Sequence, residues 1–192
     1  MKRLRLAPIT GLLVAGLLVG GMPSAGAQAV RVILDKISDP IEVPAGYRVV
    51  GDLRENSPVV LRVTLEPRNR PELEALIAAT STPGNPLYRS FISPSEFADR
   101  FGPTRATQHR VVSFFQTHGV RAALSGDSSM VLVVRGPAHS IEDIFHTHFV
   151  SVEGDSRRGY LATSASFLPR DVASVVAGVA GLSSLPRAHS NA

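Results

Sequence analysis

The stretch from Pro86 to Phe97, Pro-Leu-Tyr-Arg-Ser-Phe-Ile-Ser-Pro-Ser-Glu-Phe, limits what this chain can fold into more than any other part of it. Pro83, Gly84 and Pro86 keep the approach extended or turned, because proline fixes φ and biases the residue before it away from helix. Ser93 then caps a helix that begins at Pro94. Glu96, three positions after the cap, is placed to return its carboxylate to the Ser93 amide and complete a capping box. Phe97, Ala98 and Phe101 form one apolar face, and Gly102-Pro103 stops the helix. Thr104 begins a second helix, with Val111, Val112, Phe114, Phe115 and His118 at helical spacing until Gly119 ends it. Two helices are thus specified back to back.

The N-terminus reads differently. Lys2, Arg3 and Arg5 precede an apolar run from Ile9 to Val19 and small residues as far as Ala29. A basic start, a short apolar core and Ala25-Gly26-Ala27 or Ala27-Gln28-Ala29 make residues 1–29 a secretory signal peptide, with cleavage after Ala27 or Ala29. A membrane anchor is the weaker alternative, since the run is too short for a span without help from its glycines. Export is expected, to the periplasm or outside the cell. Three of the 20 lysines and arginines lie in this leader, so 17 remain against 16 acids. The mature chain is nearly neutral. Its high isoelectric point therefore gives no reason to expect a nucleic-acid partner, and no membrane association is expected once the leader is gone. The chain has no cysteine, which excludes disulfides and thiolate metal sites.

Residues 30–58 are poorly specified: Val30 to Leu34 can form an edge strand, but Pro40, Pro44, Gly46 and Pro58 break up the rest. From Val59 the signals sharpen. Val59 to Leu65 alternates and is rich in β-branched residues, so it reads as a strand. A helix follows, capped by Asn69, with Pro71 in its first turn and Leu73, Leu76, Ile77 and Thr80 on its buried side. After the two organising helices, Val120 to Leu124 and Met130 to Arg135 flank a Gly/Asp/Ser loop as a hairpin. A short helix holds Ile141, Ile144 and Phe145, with Ser140 and Asp143 as an alternative capping pair. Phe149 to Val152 and Tyr160 to Thr163 are strands joined by a charged turn. Pro169 opens a helix in which Val172, Val175, Val176 and Val179 face inward, closed at Gly181-Leu182. Residues 183–192 have no apolar period and read as a mobile tail. Without the helical insertion, strand, helix, strand, strand, helix, strand gives βαββαβ, the ferredoxin-like antiparallel sheet of an α+β domain.

The wording Pro86-x-Tyr88, Ile92-Ser93-x-x-Glu96-Phe97, Phe101-Gly102-Pro103 and a helix ending in Gly119-Val120 resembles the activation prodomain of the sedolisin (kumamolisin-like) serine-carboxyl peptidases. The resemblance runs from about Val59 to Leu182, with Leu65, Leu73, Leu76, Phe115, Phe145, Tyr160, Pro169, Val179 and Gly181 in family positions. It implies that residues 59–182 form a prodomain that assists folding of the peptidase, covers its cleft and is cut away at acidic pH. The partner is then a serine-carboxyl peptidase catalytic domain, in cis or in trans. Ser183, Ser184, Leu185, Pro186 and Arg187 would run towards the cleft. The chain ends shortly past the closing motif, so the expectation is a prodomain separated from its peptidase or encoded alone, itself without catalytic function and without cofactor.

Three other readings compete. Thr163-Ser164-Ala165 is similar to the family's nucleophile motif, but position 162 is alanine. No Glu-x-x-x-Asp pair offers the partner carboxylates, so turn and cap roles are expected for these residues. His146, His148 and His139 invite a metal, yet a site needs three or four converging ligands, and ordinary surface histidines are the expectation. A free-standing secreted binding module with an unrelated partner is the alternative from another class. Phe91, Phe97, Phe101, Phe114, Phe115, Phe145 and Phe149 are assigned to the core. Any apolar surplus left exposed on the sheet would be a docking face.

Overall fold

A strict alternation fixes the centre of the molecule. Val59, Leu61, Val63 and Leu65 are fully buried, while Val60, Arg62 and Thr64 between them are exposed. This is the period that a pleated strand imposes. The computed structural model describes residues 32–126, 130–154 and 157–185. The leader with Ala27 and Ala29, residues 127–129 of the hairpin loop, 155–156 of the charged turn, and Pro186 and Arg187 lie outside the described residues. In chain order the elements are β1 (Leu34–Ser38), β2 (Tyr47–Asp52), β3 (Pro58–Leu65), α1 (Arg70–Ser81), α2 (Pro94–Phe101), α3 (Arg105–Thr117) and β4 (Arg121–Ser125). There follow β5 (Val131–Pro137), α4 (Ala138–Phe145), β6 (Phe149–Gly154), β7 (Arg158–Ala162), β8 (Ser166–Pro169), α5 (Arg170–Ala173) and β9 (Val176–Ala180).

These strands form a mixed α+β body with antiparallel sheets. The central sheet has the order β4-β5-β3-β9. A second sheet runs β2-β6-β7, and β1 pairs with β8. β1 and β2 both arise in the stretch the sequence left unspecified. Two expectations are corrected. The strand expected to close the central sheet, Phe149 to Val152, is β6 and lies between β2 and β7 instead. Phe149, Val150 and Val152 are all buried, which suits a middle strand covered on both faces.

The closing position beside β3 belongs to β9, where the valine spacing reads as a helix. The register explains the error. Val179 lies opposite Val63 and Gly178 opposite Thr64, but Leu65 faces Val176, so Ala177 is a bulge. The extra residue brings Val176 and Val179, three apart, onto one face. A bulged strand thereby imitates a helical repeat, and only the single turn Arg170–Ala173 is helical.

The inner face of the central sheet is covered by α3 and α4. Val111 and Phe115 of α3 are buried, as are Ala138, Ile141, Ile144 and Phe145 of α4. The Phe115 and Phe145 rings stack with centroids 5.8 Å apart. Phe101, Phe115, Phe145 and Phe149 are fully buried, each removing enough apolar area to stabilise the fold by about 1.5–3 kcal/mol. Phe91 departs from the core assignment: it is 83% exposed. α1 departs too, with no buried residue and Ile77 exposed at 54%. Its N-cap, Asn69, sits in the left-handed region and makes no side-chain cap bond. The Asn69 amide instead donates to the Arg100 carbonyl, 3.1 Å away.

Candidate functional site

The organising helices keep half of the expected capping box. Ser93 Oγ accepts from the Glu96 amide at 3.1 Å. The Glu96 carboxylate, however, turns to Arg100, whose Nη1 lies 3.0 Å from it. Arg100 also reaches Glu72 of α1 at 2.8 Å, and these two carboxylates push its guanidinium pKa further up. Gly102 ends α2 for want of space rather than for a left-handed turn, since a Cβ there would sit 2.5 Å from the Ala98 carbonyl. Gly119 does need its freedom, with φ of +78°. Arg68 escaped the sequence reading. Its side chain donates to the Arg100 carbonyl at 3.2 Å and to the Asp99 carbonyl, tying the end of α2 to the loop between β3 and α1. Pro86 and Tyr88 stand in an exposed loop whose Arg89 amide bonds Thr80 of α1 at 2.9 Å.

The last described residues are held, which corrects the expected start of the tail. Gly181 has φ of +99°, and a Cβ on it would lie 2.4 Å from the Val60 carbonyl, so only glycine fits. Leu182 is buried, and its carbonyl accepts from Ala162 at 2.8 Å. Ser183 bridges Leu161 across the free edge of β7. Ser184 donates its amide to the Tyr160 carbonyl at 2.9 Å and accepts the Tyr160 amide on Oγ at 2.8 Å. Leu185 packs against Val150, Val152 and Leu161. Gly159 makes room for this, since a Cβ there would be 2.6 Å from Ser184 Oγ. The Tyr160 hydroxyl donates to the Gly181 carbonyl at 3.1 Å, and its burial raises its pKa. Ser183 and Ser184 thus pair with the free edge of β7 as a short exit strand through one antiparallel bridge, because an unpaired sheet edge offers a row of bonding groups.

Among the described residues no general base stands at the Ser164 hydroxyl. Its Oγ accepts from the His148 backbone amide at 2.9 Å and meets Thr147 Oγ1 at 3.2 Å. The His148 ring points elsewhere, with Nε2 3.1 Å from Asp52 and Nδ1 3.2 Å from Glu142. The imidazolium can donate to both carboxylates, the neutral ring to only one. Glu142 in turn accepts from the Phe149 amide at 2.6 Å. His139 lies beside the Glu55 carbonyl and Ser140, and exposed His146 closes α4 in the left-handed region. Among the described residues no group of three potential ligands could hold a metal ion. No helix among them is long and apolar enough to cross a membrane.

Fold and site therefore describe an antiparallel α+β domain whose described polar groups cap helices, bridge turns and tie down the exit strand. The chain belongs to the Pro-kumamolisin activation domain family, whose model matches residues 45–185. It is similar to sedolisin from Pseudomonas sp. (strain 101), 28% identical over 127 residues, which covers 66% of this chain and 22% of that protein. Xanthomonalisin from Xanthomonas sp. (strain T-22) is 26% identical over 137 residues, 71% of this chain and 17% of that protein. Tripeptidyl-peptidase sed4 of Aspergillus fumigatus is 30% identical over 104 residues, 54% of this chain and 17% of that protein. The chain thus spans about a fifth of the length of the curated relatives it matches.

Proposed function

We propose that this chain is exported and that residues 59–182 act as the prodomain of a sedolisin-type serine-carboxyl peptidase. In that role the domain is a folding template and an inhibitor of the peptidase, and cleavage in acid ends its hold. The observation that carries this reading is the family match over residues 45–185, which takes in nearly all of the described body. Its strand order supports the ferredoxin-like reading as well: β3, β4 and β5 with β9 as fourth strand reproduce the split pattern, with β6, β7 and β8 inserted before it. The exit strand supports the idea of a cut beyond it, because Ser183 leaves the domain paired antiparallel with Leu161, and an extended segment is the form a protease cleft accepts. The cut itself is proposed at Pro186 and Arg187. Ala27 and Ala29 mark the leader's cleavage.

Refolding tests the template role. Mature sedolisin from Pseudomonas sp. (strain 101), denatured and then diluted, should regain activity faster and in higher yield when the purified chain is present. Equal recovery with and without the chain would contradict it.

A further inference from the structure

The central sheet has an outer face that no element of the described chain covers, and it is not the apolar surface a simple docking face would present. Arg62 of β3, Arg121 of β4 and Arg135 of β5 all project from it and are exposed. Arg121 lies directly opposite Arg135, and Arg62 lies opposite Val133 in the next outward row. Like charges facing each other across two strands weaken a sheet. Among the described residues none of the three arginines makes an ion pair or side-chain hydrogen bond, although ten such ion pairs occur elsewhere, counting His148 twice. No acidic residue stands at any outward position of the register. Two shallow hollows, of about 470 and 240 Å³, share Arg121 and Arg135 in their walls. Between the charges lie small or β-branched side chains, such as Ala123, Val133 and Ala180.

We propose that this face is a carboxylate-binding surface whose occupant is an acidic patch on the peptidase partner, with aspartate or glutamate side chains seated between Arg121 and Arg135 and beside Arg62. The inference rests on the proposed prodomain role and names what the partner must present. A planar guanidinium takes a carboxylate on two parallel bonds, so a facing pair of arginines specifies position as well as charge. The flat, short side chains around them let a helix or strand of the partner come close. Among the described residues nothing compensates the Arg121–Arg135 repulsion. The sequence keeps it because the complex relieves it.

The test uses direct binding of the purified full chain to mature sedolisin from Pseudomonas sp. (strain 101), beside thermal unfolding of the free chain. Arg121→Ser with Arg135→Ser should weaken binding by about tenfold or more, the scale of a lost charge contact. Arg48→Ala, which removes an exposed arginine of the other sheet, should leave affinity unchanged. The wild-type affinity should fall as salt rises from about 0.01 to 1 M, where the Debye length shrinks from about 30 to 3 Å. The free double variant should melt about 1–3 °C higher than wild type in low salt. Undiminished binding by the double variant places the docking face elsewhere and overturns the proposal. A lower melting temperature does so too, because the pair would then serve the domain's own fold. No binding by the wild-type chain, with the melting rise intact, overturns the peptidase reading instead and takes the named partner with it.

Discussion

β3 carries two surfaces on one backbone. Its inward residues, Leu61 and Val63, meet Val134 and Leu132 of β5, and all four are closed to solvent. Its outward residues, Val60, Arg62 and Thr64, meet Arg135, Val133 and Val131, and nothing in the described chain lies over them. The inner face is sized to the aromatic layer of α3 and α4, so its residues can be exchanged only against volume. The outer face is charged, shallow and self-repelling, a poor choice for stability alone. Folding is thus separated by the pleat from the surface proposed for recognition, one residue apart in sequence.

That separation can be broken from the inside. Leu61→Ala should cost about 2–5 kcal/mol in chemical denaturation, because it opens a cavity in the buried core beside Val134. Val60→Ala, its outward neighbour, should stay within about 0.5 kcal/mol of wild type. Equal losses at the two positions would mean that the outer face is covered in solution. Gly181→Ala comes next, at about 1–3 kcal/mol, since it forces a positive φ and a contact with the Val60 carbonyl. Its loss should also expose Ser183 to Leu185 to amide exchange. Protection there equal to wild type would refute the account of the exit strand.

Smaller effects sharpen the contrast between helix ends and core. Ser93→Ala should cost about 0.5–2 kcal/mol. Glu96→Ala should cost only about 0.3–0.5 kcal/mol, because its carboxylate pairs with Arg100 rather than closing the box. The last effect is one of pH. Arg158, bonding the Glu153 carboxylate first and Arg48 after it, holds that group below the usual carboxylate range. A lowered folded-state pKa contributes stability above the unfolded value and loses it as pH falls through the folded value. Wild type should therefore exceed Glu153→Gln in stability at neutral pH, and the two should converge in acid. A gap that persists in acid would assign Glu153 a packing role.

Local signals were legible and tertiary ones were not. Ser93, Pro94, Thr104 and Gly119 mark helix ends by their own chemistry, and the structure places caps or stops at each. The alternation of Val59 to Leu65 gave the central strand for the same reason. α1 shows the limit. Its Leu73, Leu76 and Ile77 repeat like a buried stripe, yet α1 buries none of its residues and Ile77 stays exposed, because periodicity states which residues share a face and not what covers it. β9 shows another, since one bulged residue turned a strand's spacing into a helix's. The arginine cluster was invisible for a third reason: Arg62, Arg121 and Arg135 share one face only through the register of β3, β5 and β4.

The claim that the chain acts on a peptidase, not as one, is tested most directly by titrating the activity of mature sedolisin with the purified chain at two pH values. The account predicts saturable inhibition at the higher pH, weaker inhibition at the lower, and no change when Ser164→Ala replaces wild type. Full peptidase activity at saturating chain would contradict it, as would peptide hydrolysis by the chain alone that Ser164→Ala abolishes.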